Sequence, residues 1–110
     1  MSVEKNTHSI PARKDVPAYD TWDLAAMYAS ESEWESDFNL LKAAVEEASV
    51  YRGTLGSSAK TLLSALQWLA KSSLIAEKVL HYAFLCHAAD GGDAQHQRRR
   101  GMASQVQTAF

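Results

Sequence analysis

Apolar residues return at alternating steps of four and three along two long stretches of the chain. In the first, Trp34, Phe38, Leu41, Val45 and Ala48 keep this spacing, which puts them on one face of a helix, while Glu35, Asp37, Lys42, Glu46 and Glu47 lie mostly off that face. Ser30 followed by Glu33 makes a capping box, in which the hydroxyl accepts from an early backbone N–H and the carboxylate reaches back, so the helix starts there. Gly53, free to take a left-handed conformation, ends it. The second stretch follows the loop "TLGSSAK", with Ser57 or Ser58 as its cap, and carries Leu62, Leu66, Leu69, Ser73, Ala76 and Leu80. The small polar pair Ser72 and Ser73 predicts a division here. The second half then shows Ile75, Val79, Tyr82 and Cys86 on one side and Leu80, Ala83, Phe84 and His87 on another, apolar nearly all round, as a central helix is.

"ADGGDA" supplies the next turn, and Asp93 caps a last helix that opens with the polar "AQHQRRR". Met102, Val106 and Phe110 are establishing an apolar face when the sequence stops, with no capping Gly, Pro or polar tail, so a truncated chain is expected. At the other end, residues 1–18 combine Pro11, Pro17 and scattered charge with little to bury, which predicts an extended arm. "TWDLAAMY" reads as a docking turn, capped by Thr21 or Asp23, that seats Trp22, Leu24 and Met27 on a neighbour. Strand-like alternation and internal repeats are both missing from the sequence. The economical solution is an all-α fold, an antiparallel bundle of three to four helices with an extended N-terminal arm: 1–18 the arm, 19–110 the helical region.

Composition narrows the function classes. A chain of 110 residues and 12.1 kDa with 46% hydrophobic content makes one domain or part of a larger one. Eleven Lys and Arg against thirteen Asp and Glu leave a formal charge of -2, so no basic field draws it to nucleic acid or an anionic membrane, and neither is expected as a partner. Cys86 is the only cysteine, which excludes an intramolecular disulfide and fits a reducing, cytoplasmic setting. The opening "MSVEKNTHSIPARKDVP" has no apolar signal core, and the stretch around "YAFLCHAA" is far shorter than the ~20 residues that span a bilayer.

Candidate chemistry is sparse. A helical zinc site needs two imidazoles four residues apart with a Glu between them, whereas His81 and His87 are six apart and His96 lies beyond the Gly91–Gly92 turn. His87 and Asp90 share a face beside Cys86, which reads as a histidine paired with a helix-end carboxylate and a cysteine used as a small apolar residue. A nucleophilic thiolate needs an electropositive, open setting, and Cys86 sits among Phe84, Leu85 and Ala88. Arg98, Arg99 and Arg100 read as a solvated helix face. No catalytic, cofactor-binding or metal-ligating residue is assigned.

Taken in order, several of these pieces resemble the N-terminal region of the oligoendopeptidase F family, the thimet-oligopeptidase-like zinc metallo-oligopeptidases. They are the turn Trp22–Asp23–Leu24, the acidic "SESEWESDF" with Trp34, the helix ending near Tyr51 and Gly53, and the pair Tyr82–Ala83 with Asp90 behind it. The match runs from about Tyr19 to the last residue; "ADGGDA" departs from it, with two glycines where relatives carry small polar residues. The resemblance implies a longer, mostly helical peptidase that cleaves short peptides in an enclosed cleft, with zinc held by an "HExxH" helix and a further Glu toward the C-terminus. That machinery falls outside residues 1–110, so Trp22, Asp23, Leu24, Trp34, Tyr82, Ala83 and Asp90 are expected to be structural, with Trp22 packed on the bundle. The expected partners are the remainder of the parent peptidase and, for that parent, short peptides. The alternative reading is a free-standing helical interaction module without enzymatic activity, whose apolar faces bind a partner helix.

Overall fold

The computed structural model describes residues 9–110, so the first eight residues of the predicted arm lie outside the described residues. From residue 9 onward the arm has two short 3-10 turns, Arg13–Asp15 and Ala18–Asp20, and neither buries a residue. Three helices follow: α1 (Glu31–Glu47), α2 (Ala59–Ala89) and α3 (Ala94–Ala109). Among the described residues there is no strand, and the fold is all-α.

Each helix begins where a short polar side chain replaces a missing intrahelical acceptor. The Ser30 hydroxyl accepts from the Glu33 N–H at 3.3 Å, the Ser58 hydroxyl from Thr61 at 3.1 Å, and the Asp93 carboxylate from Gln95 at 2.8 Å and His96 at 3.1 Å. Glu33 completes the first box by accepting from the N–H of Ala29 at 2.9 Å, one residue earlier than the pattern requires. α1 tightens into a 3-10 turn over Ala48–Tyr51, and Gly53 then takes φ 73°, the left-handed region a glycine enters without steric penalty.

The predicted division at Ser72 and Ser73 does not occur, since α2 runs unbroken for 31 residues. Serine costs a helix interior only a few tenths of a kcal/mol, too little to break a helix whose far half is locked into the core. Ser72 is buried and lines, with Leu40 and Ala44 of α1, the cleft between the two helices.

Helix direction follows from two anchor pairs on each side of α2. The Trp34 indole N–H donates to the Val79 carbonyl at 3.1 Å, and the Tyr51 ring lies 5.5 Å from that of Trp68, so α1 runs antiparallel to α2. Arg99 lies over Tyr82, and Phe110 reaches Trp68 at 6.2 Å, so α3 also runs antiparallel to α2 and parallel to α1. The core between them holds Tyr28, Trp34, Phe38, Leu41, Ala76, Val79, Leu80, Ala83, Ala103 and Val106. Trp34, 1% exposed, stacks on Phe38 at 5.1 Å. Toward its end α1 buries Ala44, which lines a cleft shared with Tyr51 and Trp68, while Val45 is half-buried and Ala48 exposed.

Candidate functional site

The docking turn forms as a 3-10 turn over Leu24–Ala26, but neither predicted cap works through its side chain. Asp23 offers only its backbone carbonyl, and the Thr21 hydroxyl donates back to the Ala18 carbonyl at 2.6 Å. Trp22, expected to pack on the bundle, is 59% exposed and borders a shallow cleft beside Ala88 and Ala89. Tyr28 is the residue that seats the segment. Its ring meets Tyr82 edge-on at 5.1 Å, its hydroxyl donates to Asp37 at 2.8 Å, and the Lys78 ammonium lies 4.4 Å above it. Burial pushes the Tyr28 phenol well above its ordinary range, and the Asp37 carboxylate pushes it the same way. Sequence reasoning put Tyr28 at the end of the docking turn but gave the seating role to Trp22, Leu24 and Met27, because Tyr28 lies outside either apolar period.

Arg99 corrects the expectation of a solvated arginine face. Successive helical residues are ~100° apart, so at most part of an Arg triplet can face water. Arg98 and Arg100 are exposed, whereas Arg99 turns inward with a side chain 7% exposed, and its guanidinium pairs with Glu31 at 3.0 Å. It is flanked by the rings of Trp34 and Tyr82, both at 5.5 Å, and its buried Nε has no hydrogen-bond partner. α1 and α3 are thereby joined by one cation lying between aromatic faces. Burial raises the Tyr82 phenol, with neighbouring Cys86 acting in the same direction and the Arg99 charge opposing it.

At the α2–α3 turn the predicted pairing of His87 with Asp90 is replaced by other partners. Arg100 approaches His87 Nδ1 at 3.0 Å, and since a guanidinium can only donate, that nitrogen is the acceptor. The Asp90 carboxylate accepts from the Gly92 N–H at 3.3 Å, and its carbonyl lies 3.1 Å from His96 Nδ1. His81 is exposed on α2, and Cys86 is buried in the interior. Arg100 occupies one of the two ring nitrogens of His87. Among the described residues no group of three or more His, Cys, Asp or Glu is placed to hold a metal ion, so the residues present do not fit a zinc centre. Ala83, of the pair Tyr82–Ala83, is fully buried against the helices around it.

The surface also presents apolar side chains. Leu62, Leu66 and Leu69 are 42%, 54% and 46% exposed along one side of α2, and Leu63 and Leu74 are exposed on another. Between α1 and α2 lies an open cleft of ≈ 380 Å³, floored by Ala44, Ser72 and Ile75 and walled by Tyr51 and Trp68. The buried indole N–H of Trp68 has no hydrogen-bond partner. The cleft is also lined by polar side chains, Glu47, Ser64, Gln67 and Lys71.

Oligopeptidase PepF of Bacillus subtilis is 30% identical over 108 residues, covering 98% of this chain and 16% of that protein. The chain is similar to a region of the oligoendopeptidase F proteins. Plasmid-borne oligoendopeptidase F of Lactococcus lactis subsp. cremoris is 30% identical over 101 residues, and the oligoendopeptidase F homolog of Lactococcus lactis subsp. lactis is 29% identical over the same length; each match covers 89% of this chain. The chain spans about 16% of the length of these oligoendopeptidase F relatives. No family model matches it, and no solved structure matches it significantly. No described helix is long and apolar enough to cross a membrane.

Proposed function

We propose that the chain is the N-terminal helical portion of a zinc-dependent oligoendopeptidase of the cytoplasm that hydrolyses short peptides, and that it forms part of the wall or lid of the substrate cleft. The observation that carries this reading is the similarity over 98% of the chain to proteins about six times as long. In it, peptide hydrolysis and zinc belong to residues elsewhere in the parent, and Trp22, Asp23, Leu24, Trp34, Tyr82, Ala83 and Asp90 keep the helices in place. The packing of Trp34 and Ala83 and the turn at Asp90 support that structural role; the exposure of Trp22 makes it the member of the set closest to a contact surface.

The test is an assay of the 110-residue chain and of the longer polypeptide on short quenched-fluorescent peptides, with metal content measured on both. Hydrolysis and stoichiometric zinc in the longer protein, lost on chelation, are expected, with neither in the short chain. Turnover by the 110-residue chain itself would refute the assignment. The exposed leucines of α2 also favour a second reading, a helical interaction module acting through a partner. A longer polypeptide without peptidase activity would leave that reading in place.

A further inference from the structure

α2 carries a seam of residues at steps of four and three from one end to the other: Leu62, Leu66, Leu69, Ser73, Ala76, Leu80 and Ala83. This is the spacing of a helix that lays one apolar face along its neighbours. The two halves of the seam are treated differently. Ala76, Leu80 and Ala83 are buried in the cluster that includes Ala103 and Val106 of α3, whereas Leu62, Leu66 and Leu69 are about half exposed. The change comes at the level of Trp68, where Phe110 at the end of α3 meets α2. The bare leucines therefore continue the established α2–α3 interface along the same side of α2.

We propose that Leu62, Leu66 and Leu69 seat an amphipathic helix belonging to the remainder of the longer polypeptide, lying antiparallel to α2 on the line of α3. This rests on the reading of the chain as a region of a larger peptidase. Three observations select that occupant. The relatives have about six times the length of this chain, so further polypeptide accompanies the matching region in them. The seam is continuous with an interface already formed within the chain, where the covering element is the helix α3. Three half-exposed leucines also fall far short of the ~1,200–2,000 Å² that a specific intermolecular interface buries. A tethered helix escapes most of the association cost that a free partner or second copy would meet. The charges of this half of α2, Lys60 and Lys71, project from the opposite side of the helix, leaving the seam uncharged.

The test extends the 110-residue chain at its C-terminus by the ~20 residues, about 30 Å of helix, that follow the matched segment in Bacillus subtilis Oligopeptidase PepF. Amide hydrogen exchange is compared with and without the extension, in the wild-type sequence and in Leu66→Asp. We expect the extension to slow exchange across Leu62–Leu69 by at least about tenfold, and Leu66→Asp to abolish this gain while leaving the melting temperature of the unextended chain unchanged. Exchange unaltered by the extension, or slowed equally in Leu66→Asp, would overturn the proposal. So would sedimentation showing the unextended chain as a dimer that Leu66→Asp disperses, because the occupant would then be a second copy. A longer polypeptide that hydrolyses peptides while these amides stay unprotected sinks the seating proposal and leaves the peptidase reading intact.

Discussion

Trp34 and Arg99 make opposite uses of burial. Trp34 puts its whole indole in the core and satisfies its one polar atom on the Val79 carbonyl, so it gains apolar burial with no unpaired donor. Trp34→Ala leaves a cavity against Phe38 and removes the indole donor, and should lower stability by about 3–5 kcal/mol in a urea titration. Arg99 is a buried cation whose one ionic partner, Glu31, is 42% exposed, and that asymmetry sets the order of two substitutions. Arg99→Met leaves a carboxylate that water can still reach, and should cost roughly 1.5–3 kcal/mol. Glu31→Ala leaves the guanidinium buried without a counter-charge, and should cost more, about 3–5 kcal/mol. If the two losses measured in denaturant come out reversed, the guanidinium is hydrated and this account of the α1–α3 link fails.

The helices owe their boundaries to local chemistry, and acid should attack one of them first. Hydrogen bonds from the His96 and Gln95 backbone hold the Asp93 carboxyl below its ordinary value of 3.8, His96 contributing most. A depressed acid contributes stability that is fully present above the unfolded value and is lost as pH falls through the folded one. The start of α3 should therefore loosen below about pH 3.8, seen as movement of the Gln95 and His96 amide resonances, and Asp93→Asn should flatten that response. The caps at Ser30, Ser58 and Asp93 and the left-handed Gly53 were legible in the sequence because each needs only a residue and its near neighbours. The unbroken α2, the inward Arg99 and the anchoring Tyr28 were not, because each depends on what another helix brings alongside. Ser72 reads as a weak point only until α1 is known to run alongside it. The partner of His87, thirteen residues on in another helix, was not legible either.

Across the whole molecule, stability is unevenly spread along one long helix. α2 is clasped by α1 and α3 over its C-terminal half, while its first turns carry leucines that no described element covers. Amides over Ala76–Cys86 should exchange with solvent only through global unfolding, whereas those over Ala59–Leu66 should exchange through local fraying at much lower free energy. Uniform protection along α2 would show that the isolated chain already buries its leucines. The three tryptophans sample this same gradient: Trp22 in water, Trp68 half covered at the cleft, Trp34 sealed inside. Nature has thus installed an optical depth gauge. A collisional quencher should extinguish their emission in that sequence, and any molecule settling over the cleft would announce itself by shielding the middle chromophore while leaving the outer and inner ones as they were.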